Sequence, residues 1–179
     1  DLLSNLYQVA REFEKAVPII ERAAKADPSK AGQVFERLGR SYIELNQWDK
    51  AEDAFLRALN AGNLKSSKEA WRMIGQARYE QEDRPGACEA FRNANNAGAR
   101  GWLNFMRSEA ETAHRFEIFT ISTEVVELEN ERKACNRLKV LGENVPDGCN
   151  TVEERVTEAR SRVEELQGRG SPDGCSNGV

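Results

Sequence analysis

The sequence predicts an all-α protein: an array of helix–turn–helix repeats, closed by a capping helix and followed by an antiparallel helical hairpin. Three observations predict it. A block of apolar and small residues returns at a period of 36 within residues 1–98. Trp102, Phe105, Met106, Ala110 and Ala113 then keep helical spacing after the repeat fades. Finally, Val152, Val156, Ala159, Val163 and Leu166 step 4, 3, 4, 3, as the seam between two packed helices does.

The repeats come first along the chain. Phe35-Glu36-Arg37-Leu38-Gly39-Arg40-Ser41-Tyr42 aligns with Trp71-Arg72-Met73-Ile74-Gly75-Gln76-Ala77-Arg78. In each, an aromatic residue is followed at +3 by Leu or Ile and at +4 by Gly. Ala51, Phe55 and Ala58 recur as Ala87, Phe91 and Ala94. Both copies reach Asn-Ala-Gly, ending at Gly62 and Gly98, where glycine is expected to take the left-handed helix cap. An earlier copy holds Ala16, Ile20 and Ala23 and closes at Asp27-Pro28, with Leu3, Ser4 and Tyr7 where the second has Leu38, Gly39 and Tyr42. Each position has a packing reason. Glycine and alanine let helices approach closely, and the aromatic residues fill the space between repeats.

This pattern resembles the tetratricopeptide repeat, W-x2-L-G-x2-Y…A-x3-F…A…P. The second copy matches at Leu38, Gly39, Tyr42, Ala51, Phe55 and Ala58, with Phe35 for Trp; the third offers Arg78 for Tyr. The first has Ser4 for Gly and Ile20 for Phe, and its opening residues are missing. Asp1 falls at the fifth position of a repeat, so the chain is expected to be a fragment of a longer array. The resemblance implies a concave groove, lined by the first helix of each repeat, that holds a peptide or a partner protein. By repeat position its residues are Asn5, Gln8, Gln33, Glu36, Arg40, Ile43, Glu69, Arg72, Gln76 and Tyr79, with Arg40, Arg72 and Tyr79 as anchors. The carboxylate clamp that grips acidic chaperone tails does not fit. Its five positions read Asp1, Asn5, Arg37, Glu69 and Met73, of which only Asn5 agrees, and Glu69 repels a carboxylate.

Beyond the array, residues 99–119 are expected to form a capping helix over its open end. Residues 117–123 contain the β-prone run Ile118-Phe119-Thr120-Ile121, expected to kink or break that helix. Residues 120–167 read as the hairpin, with a turn over 142–150. Thr151-Val152-Glu153-Glu154 has the form of a capping box. Residues 168–179, rich in Gly, Ser and Pro, read as a flexible tail.

Composition bounds the chemistry. The net charge is −4, with 15 Lys/Arg against 15 Asp/Glu in residues 1–98 and 11 against 15 in residues 99–179. An acidic balance argues against nucleic acid, and no apolar run approaches the roughly 18 residues of a membrane span. The single histidine, His114, beside Arg115, reads as a helix-end cation rather than a catalytic base. No nucleophile has an identifiable base and orienting partner, so neither an enzyme nor a cofactor is expected. Four cysteines leave alternatives open. Cys88 reads as a small buried thiol; Cys135 and Cys149 flank the hairpin turn, either bridged or as independent thiols. Metal is not expected, because the thiolates lack paired spacing and a nearby His.

Gly98-Ala99-Arg100-Gly101-Trp102-Leu103-Asn104-Phe105-Met106-Arg107-Ser108-Glu109 resembles the end of bacterial tetratricopeptide proteins that accompany TonB-type transport systems. It departs in a shorter Arg-to-Trp spacing, and residues 120–167 have no matched counterpart. That resemblance implies a periplasmic, transport-associated scaffold, with a cytoplasmic location as the alternative. The functional alternative is structural self-association through the hairpin, giving a homo-oligomer.

Overall fold

The computed structural model describes residues 12–170 and 173–175. Among these there are seven α-helices and no strand: α1 (Phe13–Ala26), α2 (Ala31–Glu44), α3 (Trp48–Ala61), α4 (Ser67–Glu80), α5 (Arg84–Ala94), α6 (Ala97–Leu141) and α7 (Val152–Gly168). They fall into two compact units. Of the described residues, one unit holds 12–107 together with 174–175, and the other holds 108–170 and 173.

The first unit is a run of antiparallel helix pairs, α2 with α3 and α4 with α5. The two intra-pair turns are built alike. Asn46 and Glu82, 36 residues apart, both take positive φ (54° and 62°). Around them, Gln47 N donates to Tyr42 O at 2.9 Å and Asp83 N donates to Arg78 O at 2.9 Å. These six-to-one bonds satisfy carbonyls that a helix end leaves open. After the second turn the helix starts on a side-chain cap: Asp83 accepts from Gly86 N at 3.0 Å, with Pro85 in the first turn, whereas Gln47 before α3 makes no such bond. Ser66 caps α4 in the same way, accepting from Glu69 N at 3.3 Å.

Packing inside each pair explains the repeated glycine. A Cβ on Gly39 would lie 2.8 Å from Phe55 Cε2, and one on Gly75 would lie 2.5 Å from Phe91 Cε1. Both rings are fully buried. Phe55 packs with Ala70, Met73 and Ile74 of the next pair, and Phe91 with Ala99 and Met106 at the start of α6. The odd member of the repeat, Arg78, keeps the function of its counterpart Tyr42. Tyr42 Oη donates back to Glu21 of α1 at 3.1 Å, and Arg78 Nε donates back to Glu52 of α3 at 2.8 Å.

Four expectations are corrected. Gly62 closes α3 at φ +71°, but Gly98 lies inside α6; the left-handed residue there is Asn95 (φ 43°), and Asn96 then accepts from Ala99 N at 2.8 Å to start α6. Residues 117–123 do not break the helix: α6 runs through them. Thr120 and Thr123 turn their hydroxyls onto Phe116 O and Phe119 O, and Ile121 is buried. Thr151 forms no capping box: its backbone is α-helical in φ and ψ, and its hydroxyl donates to Gly148 O at 3.3 Å. Cys88 is not a thiol. It is bonded to Cys175, with Cα atoms 5.7 Å apart, and Gly174 (φ +80°) lies so close to the Met106 backbone that no other residue fits there.

In the second unit, α6 and α7 enclose Leu128, Cys135, Cys149, Val152, Val156 and Ala159. Cys135 and Cys149 are bridged across the turn, with Cα atoms 5.5 Å apart. Arg155 pairs with Glu131 at 3.1 Å, Arg132 with Glu153 at 3.2 Å, and Arg160 with Glu129 along the rim.

Candidate partner-binding groove

Asn5 and Gln8 lie outside the described residues. The other eight groove positions fall on α2 and α4, four on each. On α2, Arg40 Nη2 meets Glu36 Oε1 at 3.0 Å, one turn apart, and Gln33 is exposed. On α4, Arg72 grips Glu69 with both arms, Nη2 to Oε1 at 2.6 Å and Nε to Oε2 at 3.0 Å. The hydrogen bond from Arg72 holds the Glu69 carboxyl below the usual carboxylate range, against a smaller opposing effect of burial, and the charges of Arg72 and Arg40 add to it. In return, Glu69 raises the Arg72 guanidinium. Arg40 acts on Glu69 from the neighbouring repeat, so the charged residues of α2 and α4 share one electrostatic surface. Its charges balance pair by pair.

Ile43 takes part in packing. It is half-buried and fills the junction between the cores of successive helix pairs. The Tyr79 ring centroid lies 5.3 Å from that of Trp102 and 6.0 Å from that of Phe105, with the Arg84 guanidinium 5.6 Å away. Trp102 in turn stacks on buried Phe91 at 5.6 Å and 10°, and meets Phe105 edge-on at 5.9 Å.

Residues at the start of α6 extend this face, which the sequence reading assigned to a cap. A Cβ on Gly98 would lie 2.9 Å from Arg72 Cδ, and Phe105 touches Tyr79. Thus Gly98 and Phe105, seven apart, lie beside Arg72 and Tyr79, also seven apart. Gly98, Gly101 and Phe105 step 3 and 4, as Gln33, Glu36, Arg40 and Glu69, Arg72, Gln76 do. The first turns of α6 therefore occupy the place of the first helix of a further repeat. The copy is 29 residues on rather than 36, because α5 has 11 residues against 14 in α3 and the connection after it is shorter as well, and that offset hid it. The spacing itself was the available signal. Gly101, Trp102 and Phe105 line a shallow apolar depression, and Phe105 is 48% exposed.

This face offers hydrogen-bonding and ion-pairing groups on α2 and α4 and an aromatic shelf at its end. His114 lies within α6, in the second unit. Among the described residues, no three His, Cys, Asp or Glu gather as a metal site would need, and no helix is long and apolar enough to cross a membrane. The family model described as tetratricopeptide repeat matches residues 2–59 and again residues 36–100, together more than half of the 179-residue chain. No curated protein matches the chain.

Proposed function

Since the chain belongs to the tetratricopeptide repeat family, whose repeats generally mediate protein–protein interaction, we propose that it is a non-catalytic scaffold that holds a partner peptide along α2, α4 and the first turns of α6. One observation carries the reading: Tyr79, Trp102 and Phe105 form an aromatic shelf at the end of a surface whose charges are mutually neutralised. Partly exposed aromatic rings on a fixed support are what interface anchors consist of. The balanced pairs on α2 and α4 favour no net charge in the partner, so recognition rests on an apolar or aromatic side chain seated on the shelf. The backbone of the bound segment then runs past Gln76 and Arg72 toward Gln33.

Two disulfides support placing the protein in an oxidising compartment, in keeping with a periplasmic transport-associated complex. Panning a display library of random peptides against the intact chain tests the groove. Enriched peptides should carry an aromatic anchor and lose about tenfold or more in affinity against Phe105→Ala. They should keep their affinity for Lys50→Ala on α3. Peptides that bind Phe105→Ala and Arg72→Ala as tightly as the unaltered chain would exclude the groove as the binding surface.

A further inference from the structure

We infer that the outer face of α6 within residues 109–126 pairs, antiparallel, with the same face of a second copy of this chain. One side of the helix is used: Ile121, Leu128 and Cys135 are buried, the last two in the core shared with α7. On the opposite side, Thr112, Phe116, Phe119, Thr123 and Val126 step 4, 3, 4, 3, the spacing of a helix-pairing seam. Phe116 is 69% exposed, Phe119 68% and Val126 59%. Large rings in a continuous stripe on one face mark a surface that is covered in use.

The threonines suit a dry contact. Thr112 Oγ1 donates to Ser108 O at 2.8 Å and Thr123 Oγ1 donates to Phe119 O at 3.0 Å. Their donors are already satisfied within the helix, so covering them leaves no hydroxyl hydrogen without an acceptor.

Three features select a second copy as the occupant. First, the stripe reads the same in both directions. Thr112, Phe116, Phe119 and Thr123 are symmetric about the midpoint between residues 117 and 118. A two-fold axis there sets Phe116 against the partner's Phe119, and Thr112 against the partner's Thr123, as a self-complementary contact requires. Second, charge excludes the parallel alternative. The stripe continues as Asn130, Lys133 and Arg137, which parallel pairing would set against their own copies. In the antiparallel register, Ala113 faces the partner's Thr120, Arg115 faces the partner's Ser122 and Val126 faces the partner's Glu109, so no like charges meet. Third, the area fits a weak dimer. With about 150–250 Å² per phenylalanine, two-thirds of four rings plus the threonines and Val126 come to about 1,000 Å². That is the lower edge for a specific interface, consistent with dissociation on the order of 10–100 μM.

Sedimentation of the full oxidised chain over a concentration series tests the pairing. A monomer–dimer equilibrium in that range is expected, abolished by Phe119→Glu with helicity unchanged; a monomer throughout overturns the proposal. The double variant Thr112→Cys, Thr123→Cys should give a disulfide-linked dimer on a non-reducing gel, while each single variant stays monomeric. Linkage in Thr112→Cys alone would mean parallel pairing and overturn the antiparallel register. Binding to phosphatidylcholine–phosphatidylglycerol vesicles that needs Phe119, without a dimer in solution, would reassign the face to a lipid surface. None of these variants touches the groove, so either reading can fail alone.

Discussion

Gly75 lies beneath the ring of Phe91, so close that a Cβ would come within 2.5 Å of Cε1. The ring is fully buried and stacks on Trp102. Gly75→Leu should therefore destabilise the array by about 1–3 kcal/mol or more, read as a lower urea midpoint at unchanged slope. Gly101→Ala supplies the contrast. A Cβ there meets nothing within 4 Å, and alanine should raise helix stability by up to about 1 kcal/mol. Equal behaviour of the two variants would show that close approach is not what holds Gly75.

A turn residue offers a gain in stability. Glu82 sits at φ 62°, a left-handed conformation that side-chain-bearing residues other than Asn and Asp seldom adopt. The equivalent turn places Asn46 there. Glu82→Asn or Glu82→Gly should stabilise the α4–α5 pair by on the order of 0.5–1 kcal/mol. Thermal unfolding checks it, and a lowered midpoint in both variants would contradict the turn geometry.

The parts legible in the sequence are those where one packing problem recurs. Gly39 under Phe55 and Gly75 under Phe91 solve the same close approach, so composition and spacing repeat with the geometry. Glu36, Arg40, Glu69 and Arg72 followed from the same register. Phe105 did not, because α5 and the connection after it are both shorter than their counterparts and shift its copy out of phase. The β-prone run at 118–121 misled for a different reason. Local preference of a few residues is weak beside a long helix whose Ile121 and Leu128 are buried. Cys88 could not be paired from spacing at all, since its partner Cys175 is 87 positions away.

Alkaline pH should weaken the array through Tyr42. Burial, and then the hydrogen bond to Glu21, push its phenol up to about 12 from the ordinary 10. The folded chain therefore holds this proton where the unfolded chain releases it. The stabilising contribution is complete below pH 10 and is lost as pH rises from 10 through 12. It amounts to on the order of 2 kcal/mol. The stability difference between the unaltered chain and Tyr42→Phe, followed by urea titration from pH 8 to about 11.5, should shrink or change sign over that window. A pH-independent difference would mean that Tyr42 does not carry it.

Each unit has its own covalent closure, so losing each bridge should have its own signature. The Cys135–Cys149 bridge closes a loop of 14 positions, worth about 3 kcal/mol in the chain-entropy account. The helix pair it clamps has a small core, with Leu128, Val152, Val156 and Ala159 and no aromatic ring, so this contribution is large for its size. Replacing both cysteines with serine should raise amide exchange across α7 and residues 125–141. The Cys88–Cys175 bridge spans 87 positions and is rooted beside Phe91, Ala94 and Met106. Here the Cys175→Ser, Cys88→Ala pair should raise exchange in α5 and the first turns of α6. The partition is the decisive reading. If opening Cys135–Cys149 exposed α2–α5 as strongly as α7, that bridge would be acting on the whole chain rather than on its own helix pair.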